Sequence, residues 1–178
     1  GQQLGFLFAT PGDSIRLIET KDMKPYSVLN VSSVKEFNEE YMEITFDSKV
    51  AEILRPSSAA ENITWQADVH LKNSTVRCNR ARSILISTDG DVILENNHFE
   101  TCTGQSLQFA GDATFWYESG PVRNVIIRNN YFKDFGLGGG NSPIIVFVPR
   151  LEFDGEPTHY YHQNVYFENN TCELFGRR

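Results

Sequence analysis

The chain has 178 residues, 40% of them hydrophobic and 12% aromatic, which is enough to bury a core. A net charge of −7, a pI near 5.1 and the lack of a basic cluster interleaved with aromatics argue against a phosphate-backbone partner, and no apolar run approaches membrane-spanning length. Three cysteines, Cys78, Cys102 and Cys172, have neither zinc-site nor paired-disulfide spacing and read as free, buried thiols.

Residues 1–66 have a texture of their own. Thr10-Pro-Gly-Asp is a turn signal, and Ser14-Ile-Arg-Leu-Ile-Glu alternates after it. Tyr26-Ser-Val-Leu-Asn-Val is strand-like and Tyr41-Met-Glu-Ile-Thr-Phe-Asp alternates again, while Val34–Tyr41 has the polarity for one or two helical turns. The expectation is a small antiparallel β unit over residues 1–66, an inserted barrel or a cap, joined by a linker beginning at Arg55-Pro-Ser-Ser.

From residue 67 the chain repeats one template. Val69, Val92, Val125 and Val165 each open a Val-x-apolar-x-Asn segment, with Leu71, Leu94, Ile127 and Phe167 two positions on and Asn73, Asn96, Asn129 and Asn169 four positions on. Seven positions on stand Val76, Phe99, Phe132 and Cys172. A period-2 apolar pattern that recurs with an Asn at a fixed offset predicts stacked parallel strands turning at Asn corners, where Asn accepts left-handed angles and its amide can bond the neighbouring rung. The expected fold is all-β, a right-handed parallel β-helix of about four coils over residues 67–178. Loops leaving one side of the coils form its active face.

A further strand follows in three coils, at Ser83-Ile-Leu-Ile-Ser, Ser106-Leu-Gln-Phe-Ala and Ser142-Pro-Ile-Ile-Val-Phe-Val. Aligning these on their serines sets Asp89 over Asp112 and leaves Val148 in the third place, with Glu152 and Asp154 in the loop beyond it. Strands about 4.8 Å apart put such paired carboxylates roughly 5 to 9 Å from each other. Two acids on one rigid wall suit glycoside hydrolysis, one as proton donor and one as base or nucleophile; the plain alternative is that each Asp caps its turn. Trp116 and Tyr117 follow Asp112 on a loop, where exposed aromatics beside a carboxylate suit the apolar face of a pyranose ring. His98, His159 and His162 show no metal-ligand spacing, so no metal site is expected.

The stretches Cys78–Gly90, Glu95-Asn-Asn-His-Phe, Gly111-Asp-Ala with Trp116-Tyr-Glu-Ser-Gly-Pro-Val, Asn124-Val-Ile-Ile-Arg-Asn-Asn-Tyr-Phe and Tyr161-His-Gln-Asn-Val resemble glycoside hydrolase family 110. The resemblance implies an exo-acting α-galactosidase, inverting and without cofactor, that removes terminal α-1,3-linked galactose from glycans of the blood-group-B type. Its partner is then a glycan, not nucleic acid or membrane. The same resemblance implies Asp89, Asp112 and Glu152 as catalytic acids; the roughly 6.5–9.5 Å spacing that inversion needs then points to Asp89 as the proton donor and Asp112, helped by Glu152, as the base. Arg80, Arg82, Gln108, Trp116, Tyr117 and Glu118 are expected around the substrate. The chain reads as part of a secreted or periplasmic bacterial protein, cut before a further coil. Two other classes fit the residues. In a calcium-dependent polysaccharide lyase, Asp89, Asp91, Asp112 and Asp154 would hold the cation and Arg80 or Arg82 would serve as base. A non-catalytic carbohydrate-binding fragment is the other.

Overall fold

The computed structural model describes residues 7–139, 142–153, 155–156 and 159–174. They form two compact units, one drawn from residues up to Gln66 with Asp112–Ser119 and Arg150–His159, the other from Ala67–Gly111, Gly120–Pro149 and the residues from Tyr160 on. Among the described residues every regular element except the 3₁₀ turn Val50–Glu52 is a β-strand.

The first unit holds an antiparallel sheet of β1 (Ser14–Glu19), β2 (Pro25–Glu36), β3 (Met42–Phe46) and β4 (Ser58–Asn62), in the order β3-β2-β1-β4. The turn before β1 is closed by the Asp13 carboxylate, which accepts the Thr10 N–H at 2.8 Å, and by Gly12 at φ +97°. Alternation in β1 and β2 sends Ile15, Leu17, Leu29 and Val31 inward with Ala9, and Phe8, Tyr26, Ile44 and Phe46 pack around them. Across the sheet the Arg16 guanidinium meets Glu61 at 2.5 Å, both side chains largely shielded.

Two expectations change here. Val34–Glu36 is not helical but completes β2, paired with Ile44, Glu43 and Met42. The turn that follows is organised by Asn38, whose side-chain oxygen accepts the N–H groups of Glu40 and Tyr41 at 2.9 Å each. The supposed linker also contains β4, which pairs with β1 from Asn62 opposite Ile15 to Ser58 opposite Glu19. Its serine and alanines gave no apolar pattern because an edge strand needs only its backbone to join a sheet.

The second unit contains β5 (Val69–Lys72), β6 (Thr75–Asn79), β7 (Ile84–Ile86), β8 (Asp91–Glu95), β9 (His98–Cys102) and β10 (Leu107–Gly111). These are followed by β11 (Asn124–Arg128), β12 (Tyr131–Lys133), β13 (Ile145–Pro149), β14 (Val165–Glu168) and β15 (Thr171–Glu173). They make three parallel sheets, β14-β11-β8-β5, β15-β12-β9-β6 and β13-β10-β7, so every third strand returns to the same sheet. The repeat register holds: Val125 stands between Val92 and Val165, Ile127 between Leu94 and Phe167, Phe132 between Phe99 and Cys172. Inward columns become continuous apolar stacks, with Phe99 and Phe132 rings 5.1 Å apart and Phe109 and Phe147 rings 4.8 Å apart.

The Asn corner divides its work between two adjacent residues. Asn73, Asn96, Asn129 and Asn169 all have φ between 51° and 56°, which meets the left-handed requirement. The amide ladder belongs to the next position. Asn97 Nδ2 donates to Asn130 Oδ1 at 3.0 Å, and Asn130 Nδ2 donates to Asn170 Oδ1 at 3.0 Å. Each of these amides also reaches a main-chain carbonyl of the preceding rung, at Leu71, Leu94 and Ile127. Asn97 and Asn130 are 0% and 2% exposed, so the ladder lies inside the stack rather than on it. The cysteines do not share one environment: Cys102 is buried, whereas Cys78 and Cys172 are exposed.

Candidate functional site

In the second unit Asp89 leaves the wall on a tight turn after β7. Thr88 Oγ1 donates to the Ala67 carbonyl at 2.7 Å and accepts the Gly90 N–H at 3.1 Å. A side chain at position 90 would meet the Ala67 carbonyl oxygen at 2.6 Å, so only glycine lets the turn lie so close. The Asp89 carboxylate, 22% exposed, accepts from Arg123 Nε at 3.1 Å.

Arg123 belongs to a cluster with Tyr161 and His162. The Tyr161 hydroxyl accepts the Gly120 N–H at 3.1 Å, and its ring lies against Gly111, where an added Cβ would come within 2.3 Å of the ring. His162 Nδ1 accepts the Val122 N–H at 3.2 Å, which places its proton on Nε2. Burial, and then the Arg123 charge, push the His162 pKa down to about 4, so this imidazole is neutral at pH 7.

In the first unit the loop Asp112–Ser119 is built around one carboxylate. Asp112 Oδ1 accepts the Thr114 and Phe115 N–H groups at 2.9 and 3.0 Å and the Thr114 hydroxyl at 3.1 Å, and Oδ2 accepts the Trp116 N–H. Burial works against ionisation, but the Trp116, Thr114 and Phe115 N–H groups outweigh it and hold the acid below the usual carboxylate range. The residue is 4% exposed, and the chain beyond it turns outward: Phe115, Trp116 and Tyr117 are 54, 51 and 69% exposed. Arg150 stacks on Phe115, 5.1 Å from the ring centre. Glu152, tied by its N–H to the Lys21 carbonyl at 2.8 Å, borders a cleft of ≈670 Å3 with Glu19, Lys21, Thr114 and Arg150.

Residues 1–58 match the family model described as GLAA-B beta-barrel domain II. Over 98% of its length the chain is 34% identical to alpha-1,3-galactosidase B of Akkermansia muciniphila, of which it covers 22%. Over 97% it is 32% identical to alpha-1,3-galactosidase A of the same organism, covering 28%, and over 98% it is 30% identical to alpha-1,3-galactosidase B of Phocaeicola vulgatus, covering 32%. The chain is thus similar over nearly its whole length to proteins named alpha-1,3-galactosidase A or B. It spans between about a fifth and a third of the length of these relatives.

The expected residues fall into four groups. Trp116, Tyr117 and Glu118 share the loop of Asp112, and Thr114 of that loop lines the same cleft as Glu152. Asp89 pairs with Arg123. Arg80 and Arg82 precede β7 while Asp89 follows it, so they stand at the opposite end of that strand from Asp89. Gln108 sits in β10 between Leu85 and Val146, its carbonyl bonded to the Gln105 amide.

One register is corrected. Leu107 pairs with Ile145 and Gly111 with Pro149, so counting on one residue brings Arg150, not Val148, into the column of Asp112. Val148 stands opposite Ala110. Pairing of β7 with β10 ends at Ile86 opposite Phe109, before either aspartate. Among the described residues no three of His, Cys, Asp and Glu gather as a metal ion would require, and Asp154 lies outside the described residues.

Proposed function

We propose that this chain contributes to a glycoside hydrolase that removes terminal α-1,3-linked galactose from glycans outside the cytoplasm, as a secreted or periplasmic protein. Its similarity over nearly its whole length to proteins named alpha-1,3-galactosidase is the observation that carries this reading. The three parallel sheets are proposed to wind as a right-handed β-helix, which gives the Asp89 turn a rigid wall. The reaction proposed is single displacement with inversion. Asp89 gives its proton to the glycosidic oxygen as the C–O bond breaks. Asp112, with Glu152, takes a proton from the water that attacks the anomeric carbon from the opposite face, and β-galactose and the free alcohol are released. An acid held ionised by three main-chain N–H groups suits the base role. Trp116 supplies a ring face for the sugar, and Lys21 and Arg150 bring positive charge to the Glu152 cleft.

The test is made in a protein that spans the full length of the relatives. Asp89→Asn and Asp112→Asn should each slow galactose release about 10²- to 10⁴-fold. NMR of the first product should show the β-anomer. Undiminished turnover by Asp112→Asn, or an α-anomer as first product, refutes the mechanism. A second reading draws on one observation, that both Asp112 oxygens already serve donors of their own loop. Asp112 is then the loop's organiser and the face binds glycan without turnover; saturable binding of an α-galactoside with no release of galactose by the intact protein would favour it.

A further inference from the structure

The first unit carries a second cleft, ≈610 Å3, that neither Asp112 nor Glu152 lines. Its walls include Phe8, Asn62, Trp65, Gln66, Tyr117 and Glu118. Trp65 is 71% exposed and Tyr117 69%, among the most exposed large aromatics described. Exposed rings of this size, gathered at one concavity, mark a recognition surface rather than a core.

The Trp65 ring is held although it faces solvent. Trp65 Nε1–H donates to Asp13 Oδ2 at 3.1 Å. Asp13 is 4% exposed and also takes the Thr10 N–H at 2.8 Å and the Asn62 amide at 2.9 Å; the Thr10 N–H foremost keeps it below the usual carboxylate range. The polar edge of the indole is thereby fastened to a charged acceptor. Tyr117 sits at φ +57°, a left-handed conformation that a bulky residue adopts only where its surroundings impose it. An indole fastened in this way loses little freedom when a flat ligand lies on it.

The wall chemistry narrows the ligand. Leu7, Phe8, Ala60, Glu61, Asn62, Trp65, Gln66, Tyr117, Glu118 and Ser119 border the cleft, and no Lys or Arg is among these described residues. Glu61 is already paired with Arg16, so the carboxylate that would repel an anionic ligand here is Glu118. Apolar faces beside an amide and a carboxylate are complementary to a neutral pyranose, whose C–H face stacks and whose hydroxyls donate.

We propose that this cleft is a saccharide-binding subsite, apart from the Glu152 cleft, that takes a neutral hexose unit on the Trp65 ring with Tyr117 as its second wall. The proposal goes beyond the hydrolytic reading and needs no turnover. Trp65 reports on it directly, because its indole N–H gives an NMR signal assignable by its disappearance in Trp65→Phe. Titrating the intact protein with lactose should move that signal saturably, whereas galacturonate at equal concentration should not. Tyr117→Ala should weaken the lactose response about tenfold, and Tyr117→Phe, which keeps the ring, should weaken it less. A Trp65 signal unmoved by lactose, an equal response to galacturonate, or a Tyr117→Ala protein of unchanged melting temperature and unchanged affinity would each overturn the proposal. Galactose release is measured separately. A Trp65 response without hydrolysis upholds the cleft and removes the hydrolase reading, and hydrolysis without the response does the reverse.

Discussion

The two asparagines at each corner should differ sharply in what they contribute, and the third rung offers the cleanest comparison. Asn130 makes four side-chain hydrogen bonds: its amide nitrogen donates to the Leu94 carbonyl at 2.9 Å and to Asn170 Oδ1 at 3.0 Å, and its oxygen accepts the Asn97 N–H at 2.9 Å and the Asn97 amide at 3.0 Å. Asn130→Ala strips the Asn97 N–H of its acceptor and the Leu94 carbonyl of this donor, both inside the stack. At about 1–3 kcal/mol for each orphaned group, the expected loss is about 4 kcal/mol. For a chain of this size that corresponds to a fall in melting temperature on the order of 10 °C. Asn130→Asp should be no milder at neutral pH, since it turns an oxygen toward the Leu94 carbonyl where a donor belongs. Asn129, exposed and at φ +55°, makes its contribution through backbone tolerance, so Asn129→Ala should cost about 1 kcal/mol and Asn129→Gly less. Urea and thermal unfolding followed by circular dichroism measure all four. If Asn130→Ala stays within about 1 kcal/mol of the parent, or Asn129→Ala costs as much as Asn130→Ala, the ladder is not the stabilising element described.

His162 should titrate near pH 4 by its NMR ring signals, and an ordinary midpoint near 6.5 would contradict its burial. Because its folded pKa is depressed, the unfolded chain binds the proton more readily, so its contribution to stability is complete above about pH 6.5 and declines as pH falls toward 4. Gly111→Ala should destabilise by about 1–3 kcal/mol through the Tyr161 ring 2.3 Å from the new carbon, and by much less in a Tyr161→Ala background; equal costs in both would rule out that contact as the cause. A thiol reagent should label Cys78 and Cys172 in the native protein and Cys102, 2% exposed, only on unfolding, with mass spectrometry assigning the sites.

The stacked sheets were legible because their signal is columnar. A valine four times repeated, with apolar residues two and seven positions on, fixes which side chains face inward, and the strand pairing reproduces those columns from Val69 to Val165. The Asn column was read at the right positions, but its two duties were merged into one residue. Left-handed backbone and amide stacking look alike in sequence when the pattern is Asn-Asn, and only Ser74, which takes the second place in the first rung, hints at the division. Local signals failed where neighbours decide. Ser58–Asn62 joins a sheet because β1 offers it an edge, and Val34–Glu36 stays extended because β3 pairs with it. Cys172 shares a column with Phe132 and Phe99, yet it is exposed on the outermost strand of its sheet.

The acids were found by ruler, and the ruler slipped where a serine was trusted over side-chain size. Ser83 and Ser106 do stack, with hydroxyls 3.3 Å apart, but Ser142 is not their third member. What aligns β13 is the match of Ile145 to Leu107 and of Phe147 to Phe109, sealed by the stacked rings and by the Leu107 N–H on the Ile144 carbonyl at 2.8 Å. Burying those apolar columns outweighs one hydroxyl contact, so the register moves two residues and Ser142-Pro-Ile is left outside the strand. The consequence is chemical. An apolar Val148 was expected in the column after Asp112, and a guanidinium stands there instead, stacked on Phe115 of the Asp112 loop and bordering the Glu152 cleft. Arg150 thus joins Lys21 in bringing positive charge to a cleft whose acids are Glu19 and Glu152, where the sequence register had placed an apolar side chain.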